Sequence, residues 1–179
     1  MNNEIQKAAA LTQMMFSQGI SDLSKTKWNK LLFFVDLAHY TKPESRAPRR
    51  TLTGFDYIKV PYGPVIQDFN KVLFQLKNEN VVAIESFVGY SANNLSYLRR
   101  PEGRQVQVQD LDAEASHIAE RVIRLFGKYT ALKLSELSHM LTLWKGADMY
   151  QMIDFDKAFA DTFIQSSSKY KSFYELAMS

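Results

Sequence analysis

Thirteen consecutive residues, Lys27-Trp28-Asn29-Lys30-Leu31-Leu32-Phe33-Phe34-Val35-Asp36-Leu37-Ala38-His39, place apolar side chains on almost every side of a helix. Trp28, Leu31, Leu32, Val35 and Ala38 fall at i, i+3, i+4, i+7 and i+10, one face of a 3.6-residue repeat. Phe33, Phe34 and Leu37 cover much of the remaining circumference. A helix apolar nearly all round has neighbours on most sides, so this stretch predicts a domain packed around a central post. It is too short to cross a bilayer, which takes about 20 apolar residues. Ser24 is placed to accept from the free N–H groups at its start, with Leu23 against Trp28 as a hydrophobic staple. Pro43 disfavours helical geometry in the residue before it and ends the helix near Tyr40. The predicted span is 24–40.

The segments around this post follow from the same kind of pattern. Residues 3–18 read as a helix with Asn3 as N-cap, a stripe of Ile5, Ala8, Ala9, Thr12, Met15 and Phe16, and Gly19 past its end. Thr41 to Arg50, with Pro43, Pro48, Lys42, Arg46, Arg49 and Arg50, reads as a surface loop. Tyr57, Ile58 and Val60 suit a short extended piece, and Pro61-Tyr62-Gly63-Pro64 a tight turn. Pro64 is expected at the first position of a helix running to about Lys77, with Val65, Phe69, Val72, Leu73 and Leu76 as its stripe. Val81–Val88 and Leu95–Arg99, with a turn at Ser91–Asn94, predict a β-hairpin. Asp110 or Asp112 opens an amphipathic helix ending at Gly127, and Thr130 caps a shorter one with Leu134, Leu137 and Leu141 inward. Leu143-Trp144-Lys145-Gly146 closes this part. Beyond Met149 the chain is helical in patches, notably Tyr170, Phe173, Tyr174 and Ala177.

The expected fold is therefore α+β and predominantly α-helical. It is a bundle of about five to six helices around the central buried helix (24–40), with a small β-hairpin (81–99). The expected division is one helical domain over 1–149 and a C-terminal helical tail over 150–179. A chain of 179 residues buries enough surface to need no staple, and without cysteine it has neither disulfides nor thiolate zinc sites. No charged and apolar leader opens it and no run of about 18 apolar residues occurs, so a cytoplasmic protein with no membrane partner is expected.

The chemical inventory is sparse. The three histidines, His39, His117 and His139, form no H-x-x-x-H pair. Asp36, His39 and His139 together would make a thin metal or hydrolytic site. The simpler expectation is a buried Asp36–His39 hydrogen bond that settles an acid inside an apolar helix. There is no G-x-S-x-G elbow, Walker A sequence or G-x-G-x-x-G fingerprint, so neither an enzyme nor a cofactor is expected. With 22 Lys+Arg against 19 Asp+Glu the net charge is only +3, and a nucleic-acid footprint needs clustering. Two small clusters exist: Arg46, Arg49 and Arg50 in the loop, and Arg99, Arg100 and Arg104 after the hairpin. Three helices followed by a basic hairpin give an alternative reading, a winged-helix-like DNA-binding regulator. The helix that would enter the groove offers only Lys71 and Lys77 beside Asp68, with Gln67, Asn70 and Gln75.

The stretch Lys27 to His39 resembles the "K-L-x-K-L-L-Y-F-A-D-x-x-H" segment of the Panacea-domain family, also called SocA-like antitoxins. Leu52-Thr53-Gly54 through Tyr57, then Pro61-Tyr62-Gly63-Pro64-Val65, is similar to that family's "I-T-G-x-x-Y-x-A-x-P-Y-G-P-V". Leu134-Ser135-Glu136-Leu137-Ser138-His139 with Trp144-Lys145 resembles its closing "L-S-x-L-S-H…W". The resemblance covers about residues 20–146; Lys59 stands where the family has a small apolar residue, and the loop 41–50 is longer and more basic. It implies a non-catalytic protein of bacteria or their phages that binds and neutralises a cognate toxin, often encoded nearby. The motif residues it marks for partner binding or structure are Asp36, His39, Tyr57, Pro61, Tyr62, Gly63, Pro64, His139 and Trp144. Asp36 and His39 are expected to brace the Tyr57–Val65 turn from behind.

Overall fold

The predicted post is present: α2 spans Lys25–Tyr40, and every residue from Lys27 to Ala38 is buried. The structure, a computed structural model, describes residues 1–43, 49–88, 94–103, 111–161, 163–164 and 170–179. Ahead of α2 lies α1 (Asn3–Ser17), and after it a hairpin of β1 (Tyr57–Val60) and β2 (Gly63–Ile66) leads to α3 (Phe69–Asn78). A second hairpin, β3 (Ala83–Val88) and β4 (Asn94–Arg99), precedes α4 (Ala113–Phe126), α5 (Ala131–Met140) and α6 (Thr142–Lys145). The last part holds a 3-10 helix (Phe155–Ala160), the short pair β5 (Phe163–Ile164) and β6 (Tyr170–Lys171), and α7 (Phe173–Met178). This is an α+β chain dominated by helices, as the periodicity predicts. Among the described residues, no helix is long and apolar enough to cross a membrane.

Most helix starts are set by side chains reaching three residues ahead, where the backbone N–H groups lack partners. Ser24 Oγ accepts from Lys27 N at 3.2 Å, Asp112 Oδ1 from Ala115 N at 2.8 Å and Thr130 Oγ1 from Lys133 N at 3.2 Å. The cap of α1 is Asn2, not Asn3: Asn2 Oδ1 takes Ile5 N at 2.9 Å, which makes Asn3 the first helical residue. Gly19 adopts φ +75°, the left-handed geometry expected of it.

Aromatic rings lock α2 to what surrounds it. Phe34 stacks on Phe126 of α4 at 4.7 Å and on Phe173 of α7 at 5.7 Å, while Phe33 meets Tyr57 edge-on at 5.3 Å and Phe155 at 5.7 Å. Burying each such ring contributes about 2–3 kcal/mol, so Phe155 and Phe173, beyond residue 149, belong to the same core. Trp28 Nε1 donates to Thr12 Oγ1 at 2.8 Å, and that hydroxyl donates to Ala8 O at 2.6 Å, which ties α2 to α1. Leu134 and Leu141 are buried, with Leu137 half-buried against the core. Tyr170 lies in β6 and not in a helix.

The predicted helix from Pro64 to Lys77 is corrected. Pro64 sits inside β2, and α3 begins only at Phe69. The turn is the pair Pro61-Tyr62 between Val60 and Gly63, and it returns the chain as a strand. The side chain of Asn29 decides this. Its Nδ2 donates to Pro64 O at 2.7 Å and its Oδ1 accepts from Ile66 N at 3.0 Å, so one amide acts as a further strand along β2. On the other side, β1 is joined by the segment at 150–153: Tyr150 N donates to Lys59 O, Lys59 N to Gln151 O and Ile153 N to Tyr57 O. The second hairpin is as predicted; β4 is fixed to the entry of α2 by Leu98 N donating to Leu23 O at 2.7 Å. Of its predicted turn at Ser91–Asn94, residues 91–93 lie outside the described residues.

Candidate functional site

The first hairpin is held from behind at both ends by polar side chains of α2. At its base, the fully buried Asp36 carboxylate accepts three hydrogen bonds: from Thr53 N at 2.8 Å, Thr53 Oγ1 at 2.5 Å and Tyr57 OH at 2.8 Å. Burial raises its pKa to about 6 against the lowering effect of those three donors and Lys7. Burial, followed by the nearby carboxylate, pushes the Tyr57 hydroxyl well above its ordinary value. The expected Asp36–His39 pair does not form. Asp36 is spent on the hairpin, whereas His39 Nδ1 donates to Arg50 O at 3.3 Å. Burial, with Lys42 adding to it, lowers the His39 pKa. Asp36 thus braces the base of the hairpin, and His39 holds the loop that leads to it.

At the tip the bracing falls to Asn29 and Lys30, two residues that sequence reasoning passed over. Lys30 Nζ donates to Pro64 O at 2.7 Å, beside the Asn29 amide on the same carbonyl. The side chain is wholly buried, and desolvation lowers its pKa to about 7. Lys59 opposes Pro64 in the ladder and turns its own N–H and C=O away from β2. By the alternation of an antiparallel pair, Pro64 faces α2, where an N–H would point at the ammonium. A proline has none, which suits this seat. Gly63 is required for two reasons. Its φ of +96° is a left-handed value, and a Cβ there would collide with Ser138 Oγ and lie 2.8 Å from Lys30 Nζ. The signal for Asn29 and Lys30 was present: polar residues inside an all-round apolar helix need buried partners.

His139 and Trp144 close the site from α5 and α6. Their rings stack at 4.1 Å, and Lys59 Nζ lies 4.4 Å from the indole centroid. Neither His139 Nε2 nor Trp144 Nε1 has a hydrogen-bond partner among the described residues. Burial, then Lys30 and Lys59, lower the His139 pKa. Tyr62, by contrast, is 77% exposed at the tip of the turn. The structure therefore gathers Asp36, Tyr57, Gly63 and Pro64 behind one hairpin, holds His139 and Trp144 beside it, and presents Tyr62 outward. Asp36, His39 and His139 are held in three separate networks. No group of three or more His, Asp and Glu side chains gathers as metal ligands among the described residues.

Four of the six arginines in the two basic clusters lie among the described residues. Arg49 lies 4.1 Å over the Phe159 ring and donates to Tyr40 O, and Arg50 is engaged through its carbonyl by His39. Arg99 bonds Glu85 at 2.9 Å and Ser21 O at 2.7 Å, while Arg100 is 6.0 Å from the Phe16 ring. Arg46 and Arg104 lie outside the described residues.

No curated protein and no solved structure is similar enough to the chain to match it. A family model does match, over residues 28–145, which is well over half of the chain and takes in the post, the braced hairpin and the His139–Trp144 pair. The chain belongs to the antitoxin SocA-like, Panacea domain family.

Proposed function

We propose that this protein is a non-catalytic antitoxin that neutralises a cognate toxin by direct contact, with the Pro61-Tyr62 tip as part of the contact. The family supplies the antitoxin-type role in general. The observation that carries the finer reading is the contrast between Tyr62, 77% exposed, and the fixed base beneath it. Aromatic residues presented on a rigid support bind with little further ordering cost. The three candidate catalytic residues, divided among separate networks, support a role without chemistry. The nucleic-acid reading has less support, because Arg99 and Lys71 already face Glu85 and Asp68.

Co-expression with the product of the neighbouring open reading frame tests the proposal. The neighbour should arrest growth when expressed alone and lose its effect when this chain is present, and the two should co-purify. A neighbour that is harmless alone, or stays toxic beside this chain, overturns the reading.

A further inference from the structure

Two adjoining cavities lie beside the first turns of α1, one of about 520 Å³ and one of about 550 Å³. Each is within the size range of a small-molecule site. The first opens onto the network that holds Asp36, since Thr53 and Tyr57 line it, and the second reaches His39, Leu52 and Leu111. Four residues line both and form the boundary between them: Asn3 and Lys7 from α1, Arg50 and Thr51 from the loop that leads to the hairpin. That loop is fixed in place by His39 on Arg50 O and by Gly54 N donating to Thr51 Oγ1 at 3.2 Å.

The boundary is made of donors. Lys27, Lys42 and Arg99 each reach a carboxylate, whereas the side chains of Lys7 and Arg50 have neither a hydrogen bond nor an ion pair among the described residues. Lys7 is half-buried, and its ammonium stands near enough to the buried Asp36 to help lower the pKa of that carboxyl, which places it on the inner side of α1. Asn3 adds an amide and Thr51 a hydroxyl. No carboxylate shares this boundary. Of the two cavities, Glu4, Asp56 and Asp154 line only the first and Asp112 only the second. Asp112 and Asp154 are moreover engaged in capping Ala115 N and Asp156 N. An ammonium, a guanidinium, an amide and a hydroxyl from two separate elements suit a tetrahedral anion with three terminal oxygens better than a flat carboxylate with two.

We propose that Asn3, Lys7, Arg50 and Thr51 bind the phosphate of a small phosphomonoester whose hydroxyl-bearing organic part occupies the cavity beside Leu52, Leu111 and His39. His39 serves the organic part. Its Nδ1 donates to Arg50 O at 3.3 Å, so Nε2 carries the lone pair that accepts from a ligand hydroxyl. Half of the site stands on α1, ahead of the family match that begins at residue 28, and the inference is independent of the toxin-contact reading. The test titrates the full chain with glycerol 3-phosphate at constant ionic strength and follows the backbone amide resonances of residues 3–7 and 49–52 by NMR. Saturable shifts there with a Kd of about 1 mM or tighter are expected. Lys7→Met and Arg50→Gln should each weaken binding at least ~10-fold, the loss of one charge-assisted hydrogen bond, while the unliganded variants melt close to wild type. Lys77→Gln removes an exposed cation of α3 and should bind as wild type does. Shifts that do not saturate in the millimolar range overturn the inference. Equal weakening by Lys77→Gln also overturns it, because the response then reports net charge alone. Acetate binding as tightly as glycerol 3-phosphate overturns the assignment to phosphate. Inorganic phosphate saturating the site where glycerol 3-phosphate does not overturns the place of the organic part.

Discussion

Lys30 offers the sharpest quantitative test of this fold. Replacing it with methionine keeps the length and apolar body of the side chain and removes the amine. Pro64 O stays bonded through Asn29 Nδ2 at 2.7 Å, so no buried carbonyl is orphaned. The wild-type amine has a pKa of about 7 in the folded chain against 10.5 when free. At about 1.4 kcal/mol per unit, that difference amounts to about 5 kcal/mol. Between pH 7 and 10.5 the unfolded chain binds the proton that the folded one has released, so wild-type stability rises with pH. The contribution is complete above pH 10.5, is lost as pH falls toward 7, and is flat below that. Urea unfolding of both proteins from pH 6.5 to 9.5 measures it. The stability advantage of Lys30→Met should be largest at pH 6.5–7 and shrink by about 1.4 kcal/mol per pH unit above that. An advantage that stays constant across the range, or a variant destabilised at pH 6.5, refutes the reasoning.

Three further outcomes follow from the same geometry. Asp36 should titrate near pH 6 in the folded protein, as seen by its carboxyl carbon resonance. Its folded pKa is raised, so its contribution to stability is complete below pH 3.8 and is lost as pH rises through about 6. Tyr57→Phe removes a donor to that carboxylate and should move the midpoint upward; a midpoint unchanged or lower contradicts the assigned bond. Gly63→Ala combines a left-handed strain with a collision against Ser138 and Lys30, and should cost about 2–5 kcal/mol in denaturant unfolding. A loss under about 1 kcal/mol is the contrary result. Phe173→Ala removes a ring stacked on Phe34 and Phe126 and should cost about 3–5 kcal/mol in a single transition. An unchanged midpoint would show that α7 is not part of the cooperative core.

What the sequence determined by itself was most of the helices and the second hairpin, where short-range interactions agree with the tertiary packing. The buried post at Lys27–Ala38 follows from a repeat of 3.6 residues, and its start from Ser24 reaching Lys27 three residues on. The same holds for α5, whose cap Thr130 acts within a turn, for α4, where Asp112 is the cap of the two candidates Asp110 and Asp112, and for the alternation of the second hairpin. The motifs around Asp36, Tyr57–Pro64 and Trp144 marked the family because these residues are clustered along the chain.

Only the tertiary structure decided how the hairpin is seated. Pro64 carries a strong local preference for a helix start, but Asn29, 35 positions earlier, captures Pro64 O and Ile66 N and makes the segment a strand. Asp36 had a histidine three residues away and took Thr53 and Tyr57 instead. Three donors converging on one buried carboxylate satisfy it better than a single imidazole bond. The left-handed backbone of Tyr150 showed no local sign in the sequence, because the path of its segment is set by hydrogen bonds to Lys59, 91 positions before it. Local pattern sets which segments form; the buried polar groups, whose partners lie tens of residues away, set how those segments are joined.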